Sequence, residues 1–224
     1  MKSAKPKAGP SRMKVEDRLA AADPALGRVI AAVTVRKGPQ QIRPSRIKPF
    51  EALVRAVVYQ SVSGKAAASI FARLGEIVGR PLSPSKVLAQ APQSLARAGL
   101  SGAKVRTIRN LAEWFTSNPK LAQRLPTLPD NEIVGILGDI PGIGTWTINV
   151  FLIFDLGRQD VMPTADLGIR RGLQLIDGSG SAATAKQVAE RSKVWSPFRS
   201  IASIYLWQAG KLKLGPKDLK EGKS

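Results

Sequence analysis

The spacing of apolar residues is the feature that most constrains the fold of this chain. Apolar side chains recur every three or four positions along most of it, which is the period of an α-helix that buries one face. The spacing is clearest over residues 50–58, 67–78, 105–115, 133–137, 150–154 and 201–205. Prolines and glycines separate these stretches, and no segment sustains the two-residue alternation of a half-buried strand. The pattern therefore predicts an all-α fold.

Charge indicates the kind of partner. The chain has 35 Lys and Arg residues against 16 Asp and Glu residues, a formal net charge of +19. Cations placed against phosphates release condensed counterions and gain affinity, so this excess favours a nucleic acid over an inert basic surface or a ribosome-associated role. Lysine is concentrated at both ends. We therefore predict basic tails over residues 1–14 and 213–224, with one domain over residues 15–212.

Two residue types are absent, and their absence excludes several chemistries. The chain has no Cys, which excludes disulfides, thiolate nucleophiles, Cys-ligated zinc and iron–sulfur clusters, and no His, which excludes Ser–His–Asp triads and His-ligated metals. Any catalysis must use Asp, Glu, Lys, Tyr, Ser or Thr. No apolar stretch has the length of a secretory signal or a membrane span, so we expect a soluble, intracellular protein with no membrane partner.

A proline–glycine turn lies between two amphipathic stretches, in the sequence LGDIPGIGTWT over residues 137–147. Pro141 ends the first helix, Gly142 and Gly144 allow a tight turn, and the next helix begins with its backbone N–H groups exposed. Such a helix start binds phosphate, because the amides and the helix dipole both favour an anion, and the Thr147 hydroxyl would add a donor. A turn of this kind is more often plain loop geometry, but the flanking helices and the net charge favour a phosphate site.

Asp166 stands where a further helix would begin, in the segment over residues 157–172. Spacing alone slightly favours an N-cap that accepts backbone N–H bonds over a catalytic carboxylate. The two roles are compatible, because hydrogen bonds from N–H groups favour the charged form of a carboxylate. Arg170 and Arg171 either lie in solvent or help to hold Asp166 and nearby phosphates.

Several motifs together resemble one enzyme family. In chain order they are YQSVSGKAA over 59–67, IPGIG over 140–144 followed by Trp146 and Thr147, then Asp166, then WSPFRS over 195–200 and a helix carrying Trp207. In this order, across residues 45–210, they resemble the helix-hairpin-helix (HhH-GPD) DNA glycosylases, specifically the DNA-3-methyladenine glycosylase II branch. The hairpin alone is shared with many DNA-binding proteins.

The resemblance implies a two-lobed helical body with a cleft between the lobes, a hairpin over about 130–155 and no N-terminal β domain. It implies that the hairpin binds the DNA backbone, that the damaged nucleotide rotates out of the duplex, and that Asp166 is the catalytic carboxylate. The base-pocket residues would be Trp146, Trp207, Tyr59 and Gln60. The DNA-binding residues would be Gly142, Gly144, Thr145, Thr147 and Ser61. A Na⁺ or K⁺ ion would bind the backbone carbonyls of Gly138, Ile140 and Ile143.

The resemblance also implies a reaction. Bifunctional relatives place a nucleophilic lysine where this chain has Trp146. We therefore expect a monofunctional glycosylase, without a Schiff base or strand cleavage, that releases alkylated bases such as 3-methyladenine and 7-methylguanine in base excision repair. We expect no required cofactor and no iron–sulfur cluster, double-stranded DNA with damaged bases as the partner, and a monomer. The location would be the cytoplasm, at the nucleoid, in a bacterium, or the nucleus in a eukaryote.

Two alternatives stay open at this stage. One is a glycosylase for a deaminated or mismatched base, because the shape of the pocket decides the lesion. The other is a non-catalytic DNA-binding module in which Asp166 is only a helix cap. Ser61 also departs from the family pattern, which places a bulky apolar residue there to fill the gap left by the rotated base. Gln60, Tyr59 or another element would have to fill that gap instead.

Overall fold

Helices make up all the regular structure in residues 13–219, which are the residues that the computed structural model describes. The α-helices are α1 (Val15–Ala22), α2 (Pro24–Lys37), α3 (Pro49–Tyr59), α4 (Gly64–Val78), α5 (Pro84–Leu88), α6 (Pro92–Ala96), α7 (Gly102–Ser117), α8 (Pro119–Arg124), α9 (Asp130–Gly138), α10 (Thr145–Phe154), α11 (Leu167–Asp177), α12 (Ala185–Arg191) and α13 (Arg199–Lys211). Short 3₁₀ helices span Leu125–Thr127, Ser192–Trp195 and Pro216–Leu219. The all-α prediction is confirmed for these residues, and the stretch before α3 contains helices where a β domain would contain strands.

The chain divides into two compact units. Within the described residues, the terminal unit combines residues 13–41 with residues 164–219, and the middle unit spans residues 42–163. This division agrees with the predicted two-lobed body. None of the described helices has an apolar stretch long enough to cross a membrane.

In the terminal unit, α13 forms the centre. Every residue of α13 from 200 to 206 is buried, and α2 and α11 pack against this helix. The close approach of α11 depends on Gly172, because a Cβ atom there would lie 2.8 Å from Cβ of Leu206. The Tyr205 hydroxyl donates to Glu16 Oε1 at 3.0 Å and so ties α13 to α1.

In the middle unit, α3 has the central place. Eight of its eleven residues are buried, and α4, α7 and α10 pack around it. Burial of each large apolar side chain contributes about 1.5–3 kcal/mol, so the stripe predicted over residues 50–58 accounts for much of this core. Not every residue of the predicted apolar stripes is buried: Phe154, in the last turn of α10, is 40% exposed, and Phe71 and Val150 are half-buried.

Part of the predicted C-terminal tail is folded, and residues 220–224 lie outside the described residues. Residues 213–219 were expected to be a basic tail, yet Pro216–Leu219 forms a 3₁₀ helix that packs on α2, and Leu219 is buried. Arg36 pairs with Asp218 at 2.6 Å. The lysine-rich composition of this segment predicted a solvated tail, but its Leu219 is buried and its Asp218 pairs with Arg36 of α2. The predicted N-terminal tail lies outside the described residues, except for Met13 and Lys14.

Candidate functional site

The predicted hairpin is present between α9 and α10, in the middle unit. Its turn contains Gly142 with φ +93°, a backbone conformation that favours glycine. A Cβ atom at Gly142 would also lie 2.8 Å from Cβ of Thr107 on α7, so only glycine fits at this position. Asn110, one turn further along α7, donates from Nδ2 to the carbonyl of Pro141 at 3.2 Å. The turn is therefore held against α7 by both packing and a hydrogen bond.

The start of α10 has the features of an anion site. Gly144 is the N-cap and has no side chain to bond the first backbone N–H groups of the helix. Gly144 and Thr145 are exposed. Uncapped N–H groups and the positive end of the helix dipole together favour a phosphate. This agrees with the phosphate-binding role predicted for Gly142, Gly144 and Thr145.

Thr147 does not have the predicted role. Its side chain is 1% exposed, and its Oγ1 accepts a hydrogen bond from Gln60 Nε2 at 2.8 Å, so this hydroxyl is not presented to a phosphate. The same Gln60 nitrogen lies 3.4 Å from the carbonyl of Gly142. Gln60 was predicted to line the base pocket, but here its amide braces the hairpin. Sequence spacing could not reveal this contact, because 87 positions separate Gln60 from Thr147.

A second contact from α3 holds the far end of α10. Arg55 Nη2 lies 2.6 Å from Oδ1 of Asp155, the residue that ends the helix. Burial raises the pKa of the Asp155 carboxyl, and the Arg55 charge opposes that rise. The second hairpin helix is thus attached to α3 at both of its ends.

The turn between α3 and α4 carries two further predicted residues. Tyr59 is half-buried at the end of α3, and Ser61 is exposed with φ +54°, in the left-handed region that non-glycine residues seldom adopt. Val62, next to it, is 38% exposed. The DNA-binding role of Ser61 and the pocket role of Tyr59 stay predictions.

The predicted cation ligands lie at the end of α9. Gly138 is the last residue of that helix, whose terminal carbonyls lack partners within it. The Ile140 carbonyl accepts from Ile143 N at 3.0 Å, which leaves its second lone pair for another partner. Carbonyl oxygens suit hard cations, so the chemistry of Gly138, Ile140 and Ile143 fits a Na⁺ or K⁺ ion.

Asp166 lies in the terminal unit, and its predicted position as an N-cap is confirmed. Its Oδ1 accepts from Ile169 N at 2.8 Å at the start of α11. The same oxygen accepts from Trp207 Nε1 of α13, also at 2.8 Å. Trp207 was predicted as an aromatic wall of the base pocket; the structure additionally makes it a hydrogen-bond donor that orients Asp166. Both side chains are half-buried.

Gly168 is a residue that sequence reasoning missed. A Cβ atom there would lie 2.9 Å from Trp207 Cδ1 and 3.0 Å from Asp166 Oδ1. Alanine would therefore push apart the two groups that the hydrogen bond joins. The available signal was a helix-disfavouring glycine two positions after Asp166, inside the first turn of a helix.

A second aspartate of the terminal unit has the same kind of partners. Asp23 caps α2, accepts from Trp195 Nε1 at 2.9 Å, and is held by two nitrogens of Arg191 at 2.8 and 2.9 Å. Burial tends to raise the pKa of the Asp23 carboxyl, but the hydrogen bonds from Arg191 and Trp195 outweigh it and lower the pKa. Trp195, from the WSPFRS motif, is thus a buried structural residue.

The remaining predicted residues are placed as follows. Trp146 is half-buried in the first turn of α10, and its contact with a base stays a prediction. Arg170 donates to the carbonyl of Ala183, which makes it a local structural contact, and Arg171 is exposed.

Comparison with known proteins gives a consistent result. Residues 54–197 match the model of the HhH-GPD superfamily of base excision DNA repair proteins. The chain is 34% identical over 177 residues to DNA-3-methyladenine glycosylase 1 of Schizosaccharomyces pombe, covering 76% of this chain and 78% of that protein. It is 30% identical over 196 residues to DNA-3-methyladenine glycosylase 2 of Escherichia coli, covering 82% and 64%.

Two solved structures resemble this chain over most of its length. A Schizosaccharomyces pombe 3-methyladenine DNA glycosylase in complex with abasic DNA superposes with a TM-score of 0.79 at 31% identity, covering 89% of this chain and 97% of that one. A DNA-3-methyladenine glycosidase from Bacillus halodurans superposes with a TM-score of 0.73 at 30% identity, covering 91% and 93%.

Proposed function

Because the chain belongs to the HhH-GPD superfamily of base excision DNA repair proteins, we propose that it is a DNA glycosylase that releases alkylated bases such as 3-methyladenine. The observation that carries this proposal is the carboxylate of Asp166, oriented by Ile169 N–H and Trp207 Nε1–H at the start of a helix. The relatives named as 3-methyladenine glycosylases support the substrate class.

The reaction breaks the bond between C1′ of the deoxyribose and the ring nitrogen of the base. The base leaves with the electron pair of that bond, and positive charge develops on C1′ and the ring oxygen of the sugar. In this proposal, the carboxylate of Asp166 stabilises this charge electrostatically. A water molecule then forms the new bond to C1′ and releases a proton to solvent, which leaves an abasic sugar.

Alkylated bases suit a site that offers a carboxylate and no strong acid. A base such as N3-methyladenine carries positive charge within DNA and departs as a neutral molecule, so it needs no proton from the enzyme. The enzyme has mainly to stabilise the sugar, and one preorganised electrostatic contact contributes on the order of 100- to 1000-fold in rate. The predicted stacking of Trp146 on the base would favour a cationic purine through cation–π attraction.

Binding to DNA would depend on phosphate contacts at the hairpin. The uncapped start of α10 and the net charge of +19 both favour a phosphate backbone. The carbonyls of Gly138, Ile140 and Ile143 would hold a Na⁺ or K⁺ ion, which would add positive charge to the same hairpin. We propose monofunctional chemistry, because the position of the lysine nucleophile of bifunctional relatives is occupied by Trp146.

The deciding experiment measures abasic sites formed in methylated duplex DNA by the purified chain. We expect release of 3-methyladenine, with strand breaks that appear only after alkali and no covalent adduct trapped by borohydride. Duplexes containing uracil or a mismatch serve as controls for the alternative lesions. Tight DNA binding without release of any base would contradict the proposal and make the chain a binding module. A trapped adduct would contradict the monofunctional mechanism.

A further inference from the structure

Lys104, on α7 of the middle unit, makes contacts that the proposed chemistry does not explain. Its Nζ donates to the carbonyl of Val58 at 2.8 Å and to the carbonyl of Gln60 at 2.7 Å. These carbonyls lie at the end of α3, where a cation is favoured by the negative end of the helix dipole. Burial lowers the pKa of the Lys104 ammonium. An ammonium directed at two carbonyls inside its own unit is poorly placed to serve as a surface phosphate contact.

These bonds fix the point at which α3 ends. Beyond Gln60 the chain enters the strained left-handed conformation of Ser61, which persists only where the surroundings enforce it. The ammonium of Lys104 holds the carbonyl that precedes Ser61. It therefore sets the direction in which the exposed α3–α4 turn, residues 60–63, leaves the helix.

The side chain of Gln60 extends the same connection to the hairpin turn, residues 139–144. Its Nε2 lies 3.4 Å from the carbonyl of Gly142 in that turn and also donates to Thr147 Oγ1 on α10, while its backbone carbonyl accepts from Lys104. Lys104 thus reaches the hairpin through one residue, Gln60. Two further side chains of α7, at intervals of three positions, touch the hairpin turn directly: Thr107 packs against Gly142, and Asn110 donates to Pro141.

We propose that Lys104 is a positioning residue that makes the α3–α4 turn and the hairpin turn a single rigid DNA-contacting surface. This inference rests on the proposed function in that both turns carry predicted DNA contacts, Ser61 on one and Gly144 and Thr145 on the other. Because Lys104 acts through the backbone of Gln60, removing the Lys104 side chain loosens both turns together. Lys104 itself contacts no phosphate, so no phosphate contact is lost directly.

The test compares Lys104→Met with Arg106→Met, which removes the same charge from an exposed residue of the same helix. The first readout is amide hydrogen exchange without DNA over residues 60–63 and 139–145. We expect Lys104→Met, which removes two charge-assisted hydrogen bonds, to accelerate exchange in both segments by at least about ten-fold. We expect Arg106→Met to change neither segment, and Lys104→Arg to restore most of the protection.

The second readout is affinity for a duplex with a tetrahydrofuran abasic analogue, measured across salt concentrations. We expect Lys104→Met to weaken binding about ten-fold at every salt concentration, with the slope of log affinity against log salt unchanged. A lost phosphate contact would instead reduce that slope by about 0.9. The single-turnover excision rate at saturating DNA should fall by roughly ten- to 100-fold, because small misplacements are costly to a reaction. Arg106→Met should retain the wild-type rate.

Three results would overturn the proposal: a reduced salt slope with unchanged exchange, faster exchange at residues 60–63 alone, or no effect of Lys104→Met on any readout. If Lys104→Met fails to fold, Lys104→Gln, which keeps an uncharged donor group, should show the same pattern with smaller effects, and the absence of that pattern would also overturn the proposal. If the wild type releases no alkylated base, the proposed function fails, while hydrogen exchange and abasic-DNA affinity still decide the role of Lys104.

Discussion

Asp23 and Asp166, both in the terminal unit, have the same local structure and different surroundings. Each is the N-cap of a helix, and each accepts the indole N–H of a tryptophan distant in sequence. Asp23 is 3% exposed and is paired with two nitrogens of Arg191. Asp166 is half-buried, and its partners include two neutral donors, Ile169 N–H and Trp207 Nε1–H.

The difference shows what converts a helix cap into a candidate catalytic group. The guanidinium of Arg191 neutralises the buried charge of Asp23, and this pair stabilises the folded state. The neutral donors Ile169 N–H and Trp207 Nε1–H orient the half-buried carboxylate of Asp166, which suits a group that must meet positive charge on a substrate. The N-cap motif alone does not distinguish the two. Their surroundings do.

The sharpest test of this comparison is Asp166→Asn, which keeps the size of the side chain and its capping ability. We expect single-turnover release of 3-methyladenine to fall on the order of 100- to 1000-fold or more, because a neutral amide does not stabilise the charge on the sugar. Affinity for abasic-analogue DNA and the melting temperature should stay close to wild type, since Asn caps as well as Asp. Excision within a few-fold of wild type would make Asp166 a cap like Asp23.

The matched change, Asp23→Asn, should have the opposite result. It removes a charge-assisted pair with Arg191, and we expect a loss of about 1.5–3 kcal/mol in the free energy of unfolding, measured by urea denaturation. The melting temperature should fall by roughly 3–12 °C in a domain of this size. The excision rate per folded molecule should not change. A rate loss comparable to that of Asp166→Asn would break the distinction between the two carboxylates.

The tryptophans that donate to these aspartates, Trp207 and Trp195, provide a second comparison with smaller expected effects. Trp207→Phe keeps an aromatic ring and removes the donor to Asp166, so we expect about a ten-fold slower excision from one lost bond to a charged group. Trp195→Phe removes the equivalent donor to Asp23, so we expect a loss of about 1–3 kcal/mol of stability and an unchanged rate. Single-turnover kinetics and thermal unfolding of both variants provide the check. An exchange of these two outcomes would show that the roles are reversed.

The smallest expected effect is in the acid stability of the wild type. The pKa of Asp23 is lower in the folded chain than the unfolded value of about 3.9. Its stabilising contribution is therefore complete above that value and is lost as the pH falls through the folded pKa. The difference in unfolding free energy between wild type and Asp23→Asn should be constant between about pH 5 and pH 7 and should shrink below about pH 4. A constant difference down to about pH 2 would contradict the assignment of the lowered pKa.

Local patterns in the sequence predicted the helices, the hairpin and the cap at Asp166, since each depends on neighbours a few positions away. The same reasoning was wrong for Thr147, whose hydroxyl is turned toward Gln60, and for residues 213–219, where Leu219 is buried. It missed Lys104 and Gly168 altogether. Each of these four outcomes depends on a contact with an element distant in the chain.

The sequence by itself determined the helical class of the chain, the place of its turns and its likeness to one family of DNA repair proteins. Periodicity, proline and glycine act over one or two helical turns, and a family motif is read from residue order. Only the tertiary structure shows that Asp23 pairs with Arg191, which tryptophan donates to which aspartate, and that Thr147 is buried. These roles depend on the packing of α13 against α11 and of α3 against α10, and on the pairing of Arg191 with Asp23. Burial and charge pairing at these contacts determine the role of each side chain.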